Sequence, residues 1–235
     1  MPKSLGRVVV SAIVLGLSTF AFALSAGAAA PSAAALLSSA VHDAIAGRGV
    51  HEVSVARRSG ETLKMINDIA TNEGRQEITL SDGSSVEVIA FDAQLRAYIK
   101  GNQMGLKNYS GFPAAEARKY AEKWMSANPG DHAWENIIGY TTLKSDFETN
   151  LAILHPVLNA NVVSINGVGA YEITGHVAAT ANSPAATVKL YVSDKGTVLP
   201  IRLIEHAKGV TATVNWSKWG ESLALRTPAK SVPLP

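Results

Sequence analysis

The sequence predicts an α+β fold, an antiparallel sheet with helices laid over one face. Three observations lead there. Strand-like stretches fall into two runs, 50–100 and 161–226, instead of alternating one by one with helices, which argues against a parallel doubly wound sheet. Segments of helical period stand before the first run and between the two. Hairpin signals such as Asp82-Gly83 and Asn166-Gly167 punctuate the runs.

The chain opens with Lys3 and Arg7, an apolar stretch from Val8 to Leu24, and small residues from Ser25 to Ala30, the order of a secretory signal. Ala26 and Ala28 form an A-x-A site, so cleavage is expected after Ala28, with residues 1–28 as signal peptide and 29–235 as a single domain. The other reading keeps the apolar stretch uncut as an N-terminal membrane anchor, near the lower limit of the roughly 17–25 residues of a span. Removing 1–28 leaves 207 of the 235 residues, ample for one core. Lys3 and Arg7 go with the signal, leaving 19 basic against 19 acidic residues. A neutral chain without a basic run suits neither nucleic acid nor electrostatic attachment to anionic lipid. There is no cysteine, hence no disulfide and no thiol to carry a lipid anchor. No later stretch approaches 18 continuous apolar residues, the length of a spanning helix.

Beyond an Ala/Ser/Pro leader, Leu36–Ala46 reads as a helix with Leu37, Val41 and Ile45 on one stripe, closed by Gly47 and Gly49. Five strands follow as a meander: Val50–Arg57, with Val53 and Val55 on one face; Thr62–Ile69, with Leu63, Met65 and Ile69 together around Asn67; Gln76–Leu80; Val86–Phe91; and Gln94–Lys100. Pro113 opens a helix whose Ala114, Ala117, Ala121 and Trp124 share a face, and Asn128-Pro129-Gly130 stops it. A helical turn is expected over 132–140. A further helix, Thr142–Leu154, carries Leu143, Phe147, Leu151 and Leu154 on one stripe and ends before Pro156. Strands resume at Asn161–Ile165, Ala170–Ala178, Thr187–Val192, Leu199–Glu205, Val210–Trp216 and Leu223–Arg226, with a loop at 181–184 and a loose Pro-rich tail. The helical insert needs burial for its stripes, so it must cover one sheet face.

No catalytic pattern appears. Gly167-Val168-Gly169 begins like a dinucleotide fingerprint, but Glu172 stands at the third glycine position; G-x-S-x-G and the P-loop are absent. His42, His51, His132, His155, His176 and His206 lack ligand spacing, and Glu205-His206, adjacent on a strand, point to opposite faces. No enzyme, metal or cofactor is therefore expected, an enzyme with a dispersed site being the last alternative. What remains is an apolar sheet face: Val188, Leu190 and Val192; Leu199, Ile201 and Leu203; and Tyr171, Ile173 and Val177, with Gly175 leaving a small gap. Such a face either packs solid or keeps a ligand cavity, and both have the same alternation.

Several local motifs carry a family resemblance. They are Tyr98-Ile99-Lys100-Gly101, Lys123-Trp124, Val163 to Tyr171 around Asn166-Gly167, Leu190 to Gly196 leading into Leu199-Pro200-Ile201-Arg202, and Trp216 to Glu221 before Pro228. In this order, over most of residues 34–228, the chain resembles the LolA/LppX-type lipid carriers of bacterial envelopes. The resemblance implies a curved antiparallel half-barrel with helices covering its concave face, enclosing an apolar cavity, and non-enzymatic binding of acyl chains for envelope lipid transport or sensing. The lipoprotein relatives carry a lipobox cysteine where this chain has Gly27-Ala28-Ala29-Ala30, so a diffusible, secreted or envelope-resident monomer is expected. The expected cavity lining is Leu63, Met65, Val88, Tyr171, Ile173, Leu190, Ile201 and Leu203. The alternative is a structural or regulatory domain on the same fold, its core filled and its partner an envelope protein.

Overall fold

A short helix leads into the sheet. Ser32 caps α1 (Ala33–Ile45), its hydroxyl accepting from the Ala35 amide at 3.1 Å. The computed structural model describes residues 31–131, 134, 141–179 and 184–234. The expected signal, the 132–140 turn apart from Trp134, and positions 181–183 of the expected loop lie outside the described residues. In α1 the fully covered stripe is Ala33, Leu36, Ala40 and Ala44, while the expected Leu37, Val41 and Ile45 are only partly buried beside it. Small alanines let the helix axis approach the sheet closely, so the larger side chains flank the contact.

The strands are β1 (Gly49–Arg58), β2 (Glu61–Ala70), β3 (Glu73–Leu80), β4 (Ser85–Phe91), β5 (Arg96–Gly101) and β6 (Met125–Ala127), then β7 (Leu154–Ile165), β8 (Val168–Val177), β9 (Ala186–Ser193), β10 (Pro200–Ala207), β11 (Val210–Ser217) and β12 (Val232–Pro233). Among the described residues they form one open 12-stranded sheet, in the order β12-β6-β5-β4-β3-β2-β1-β11-β10-β9-β8-β7. The two sequence runs meet where β1 pairs antiparallel with β11. Every neighbouring pair is antiparallel except β12 with β6. The fold is α+β, with helices against an open, largely antiparallel sheet in a curved half-barrel arrangement.

The insert between β5 and β7 supplies the cover. A π-helical turn (Gly105–Tyr109), α2 (Ala114–Tyr120) and Trp134 lie over the β3–β6 side, with Leu106, Phe112 and Ala117 in its core. Helix α3 (Leu143–Asn150) begins at Thr142, whose hydroxyl accepts from the Ser145 amide at 3.3 Å while the Ser145 hydroxyl accepts from the Thr142 amide, a reciprocal cap. Its Leu143 and Phe147 join α1 in a core with Ile173, Leu190 and Leu203. The backbone just before α3 presses on β3: a Cβ on Gly74 would collide with the Thr141 carbonyl, so only glycine admits this approach.

Several expectations are corrected. Helix α3 stops at Asn150, and Leu154 begins a strand and is 45% exposed, because the chain must turn back to pair with β8. Pro156 lies inside β7, which is tolerable because β7 is an edge strand with bulges flanking Pro156 and 160–162. Helix α2 ends at Tyr120, and Trp124, instead of sharing its face, packs with Ile89, Phe91 and Tyr98 on the opposite side of the sheet. Residues 223–226 form no strand; Leu225 packs on that same outer cluster. The tail is tied down as β12, where the Val232 amide donates to the Trp124 carbonyl at 3.0 Å. The gap expected at Gly175 is filled by Ile153, which a Cβ there would overlap.

Candidate functional site

The strand registers align the covered face into rows. One row runs Leu158, Ile173, Leu190, Leu203, Val214, Ser54, Met65, Ile78, Val86. The next runs Trp216, Glu52, Asn67, Gln76, Val88, Ile99, Met125. Both ends are apolar. The middle, on β1–β3, is a belt of four buried polar side chains: Glu52, Ser54, Asn67 and Gln76. It divides the inner face into two apolar clusters, one beneath α1 and α3 and one beneath the π-helical turn and α2.

The expected lining residues distribute over both clusters. Tyr171, Ile173, Leu190 and Leu203 belong to the first, and Leu63, Met65 and Val88 to the second. Ile173 and Leu190 are fully covered, whereas Tyr171, Leu63 and Met65 are half-buried. Leu63 also lines a small surface crevice with Glu61, Thr62, Leu80, Ser81 and Asp82. Ile201 joins neither cluster. It is the extra residue of a bulge in β10, since Pro200 pairs with Val192 and Arg202 with the adjacent Tyr191.

The polar belt is what sequence reasoning missed. Alternation on β1 places Val53 and Val55 on one face, but the structure turns Glu52 and Ser54 inward and leaves both valines half-buried on the other side. Glu52 is 2% exposed and Asp146, reaching down from α3, is 1% exposed. Glu52 accepts from the Asn67 amide at 2.8 Å and from the Trp216 indole N–H at 2.9 Å. Asp146 Oδ1 accepts from the Asn150 amide at 2.8 Å, and the buried Asp146 and Glu52 carboxyls face each other within hydrogen-bonding reach. Burial, with Glu52 alongside, holds the Asp146 carboxyl well above the usual range. Burial also raises Glu52, partly offset by its three hydrogen bonds and by His51. Indole and amide donors favour Glu52 as the carboxylate, so the shared proton resides on Asp146. Asp146 Oδ2 is buried and receives no donor from the described residues. A signal was present in the sequence at Asn67, which interrupts the Leu63, Met65 and Ile69 face of β2.

Beyond the Ile89, Phe91 and Tyr98 patch, the outer face carries polar pairs. Arg75 and Lys100 flank Glu87 at 2.9 and 3.3 Å, and the Tyr191 hydroxyl donates to Glu172 at 2.8 Å. The described histidines stay apart: His42 contacts Asp43, His51 contacts Asp68, and His155, His176 and His206 are exposed. Among the described residues no three His, Cys, Asp or Glu side chains gather to hold a metal, and no helix is long and apolar enough to cross a membrane.

No protein-family model and no curated protein matches the chain. Solved structures do. LprF from Mycobacterium bovis superposes with a TM-score of 0.57 at 12% identity, over 83% of this chain and 96% of that one. The Mycobacterium tuberculosis lipoprotein LppX superposes with a TM-score of 0.53 at 15% identity, over 83% of this chain and 100% of that one. The fold is the one these two structures share. At these identities the likeness establishes architecture, and function must be argued from the residues.

Proposed function

We propose that the chain is an exported, non-enzymatic, monomeric protein of the bacterial envelope that takes a lipid acyl chain between its sheet and its helical roof, for transport or sensing. The observation that carries this reading is a single sheet face roofed by helices along which apolar side chains stay half-buried, Leu63 and Met65 on β2 and Tyr171 on β8. Leu63, Met65 and Val88 form the entry side; Tyr171, Ile173, Leu190 and Leu203 line the deeper side beneath α1 and α3. Residues 1–28 serve as the export signal and 29–235 as the binding domain, with neither metal nor cofactor needed. The driving force is burial, about 0.8 kcal/mol per methylene. The test is a titration with saturated fatty acids of increasing length. Affinity rises about fourfold per added methylene and changes little with salt. Affinity indifferent to chain length contradicts the reading.

A second reading, a protein-binding envelope domain with a filled core, is favoured by one observation: Ile153 occupies the notch at Gly175. It calls for a protein that carries no lipid and ignores chain length in the same titration.

A further inference from the structure

Helix α3 is held to the sheet by a contact that the lipid reading does not use. Phe147 lies against Trp216 and Trp219, with ring centroids 5.6 and 5.4 Å away. Next to it in the helix, the buried Asp146 faces Glu52 on β1, which is itself fixed by Asn67 on β2 and Trp216 on β11. Three strands and the roof thus converge on one carboxyl–carboxyl hydrogen bond that needs a proton. We propose that Asp146 and Glu52 form a proton-dependent latch, closing α3 on the sheet when one carboxyl is protonated and releasing it when both ionise.

Among the described residues, the groups around the pair supply no cation to replace that proton. On α3, Lys144 and Glu148 are exposed, and Asn150 is neutral. On α1, His42 contacts Asp43, whose other oxygen accepts from the Val198 amide at 3.0 Å. Asn67 and Trp216 are neutral. His51 acts on Glu52 only through space; its ring nitrogen is 2.7 Å from Asp68. Ionising both acids therefore places two like charges in a site closed to water, which costs more than either hydrogen bond returns. Both carboxyls have folded values above their unfolded ones. Their contribution to closure is complete below the ordinary carboxylate range and is lost as pH rises through the folded values. The latch is independent of lipid, and its test needs none.

The measurement is amide hydrogen exchange of the full chain between about pH 5 and pH 9, corrected for the intrinsic exchange rate. The reporters are the Asp146 and Leu151 amides, which donate to the Thr142 and Phe147 carbonyls. The opening constant of α3 is expected to rise by up to about tenfold per pH unit while strand β9 stays protected. In Asp146→Asn the amide donates to Glu52 at every pH, and the slope disappears. A flat wild-type profile, an equal slope in D146N, or an equal rise in β9 overturns the proposal. Should D146N not fold, the carboxyl carbon resonance of Asp146 in the wild type decides. A signal still protonated at neutral pH upholds the latch, and one already ionised at about pH 6 overturns it.

Discussion

The β8–β11 half of the inner face and the β2–β6 half are built on the same alternation but roofed differently. Over the first, α1 and α3 seal the sheet, and Ile173, Leu190 and Val192 are fully covered. Over the second, a π-helical turn and a helix of 7 residues leave Leu63, Met65, Leu80, Tyr109 and Tyr120 half-buried at the margin. The difference teaches that alternation fixes which face is covered, while the length and small residues of the roof fix how tightly. A sealed half gives stability. A half with an open margin is where an acyl chain can enter without unfolding the protein.

Substitutions can break that comparison. The largest effect is expected at Phe147, wedged between Trp216 and Trp219. Phe147→Ala should cost about 3–5 kcal/mol in denaturant unfolding, as a large aromatic lost from a sealed core. A matched pair then sharpens it. Val192→Trp, at a fully covered position outside the proposed lining, should destabilise by about 1–3 kcal/mol through overpacking, whereas Met65→Trp at the open margin should cost less than about 1 kcal/mol and yet abolish fatty-acid binding. Equal costs at the two positions would erase the distinction between the halves. The smallest effect lies on the outer face of the sealed half. Burial and Glu172 push the Tyr191 phenol up to about 12. Its folded value lies above the ordinary tyrosine range, so its contribution is intact at neutral pH and lost only as pH rises through that value. Tyr191→Phe should remove the phenol that titrates at about 12 from the absorbance profile and leave lipid binding unchanged.

Much of this architecture was legible in the chain. The segregated strand runs, the Asn166-Gly167 turn and the apolar 188/190/192 face all report local period, and local period survives folding. The resemblance motifs carried the fold type. What was not legible depended on partners distant in sequence. Val53 and Val55 looked like the inward face of β1, but the pairing of Glu52 with Asn67 and Trp216 turns the strand the other way. Leu154 looked like the end of a helix and residues 155–160 showed no strand signal, and only β8 makes this stretch a strand. The tail looked loose because β12 exists solely through its pairing with β6. Of the expected lining, the two clusters gather seven residues, and the bulge that sets Ile201 apart has no signature in the sequence beyond Pro200.

The central claim is that a greasy ligand shares the space between sheet and roof. Native mass spectrometry of the protein purified without detergent, before and after organic extraction, tests it most directly. The account predicts a bound mass that extraction removes and that is recovered as an acyl lipid, with Met65→Trp purified free of it. A wild-type protein of bare polypeptide mass, unchanged by extraction and unable to take up added lipid, would contradict it.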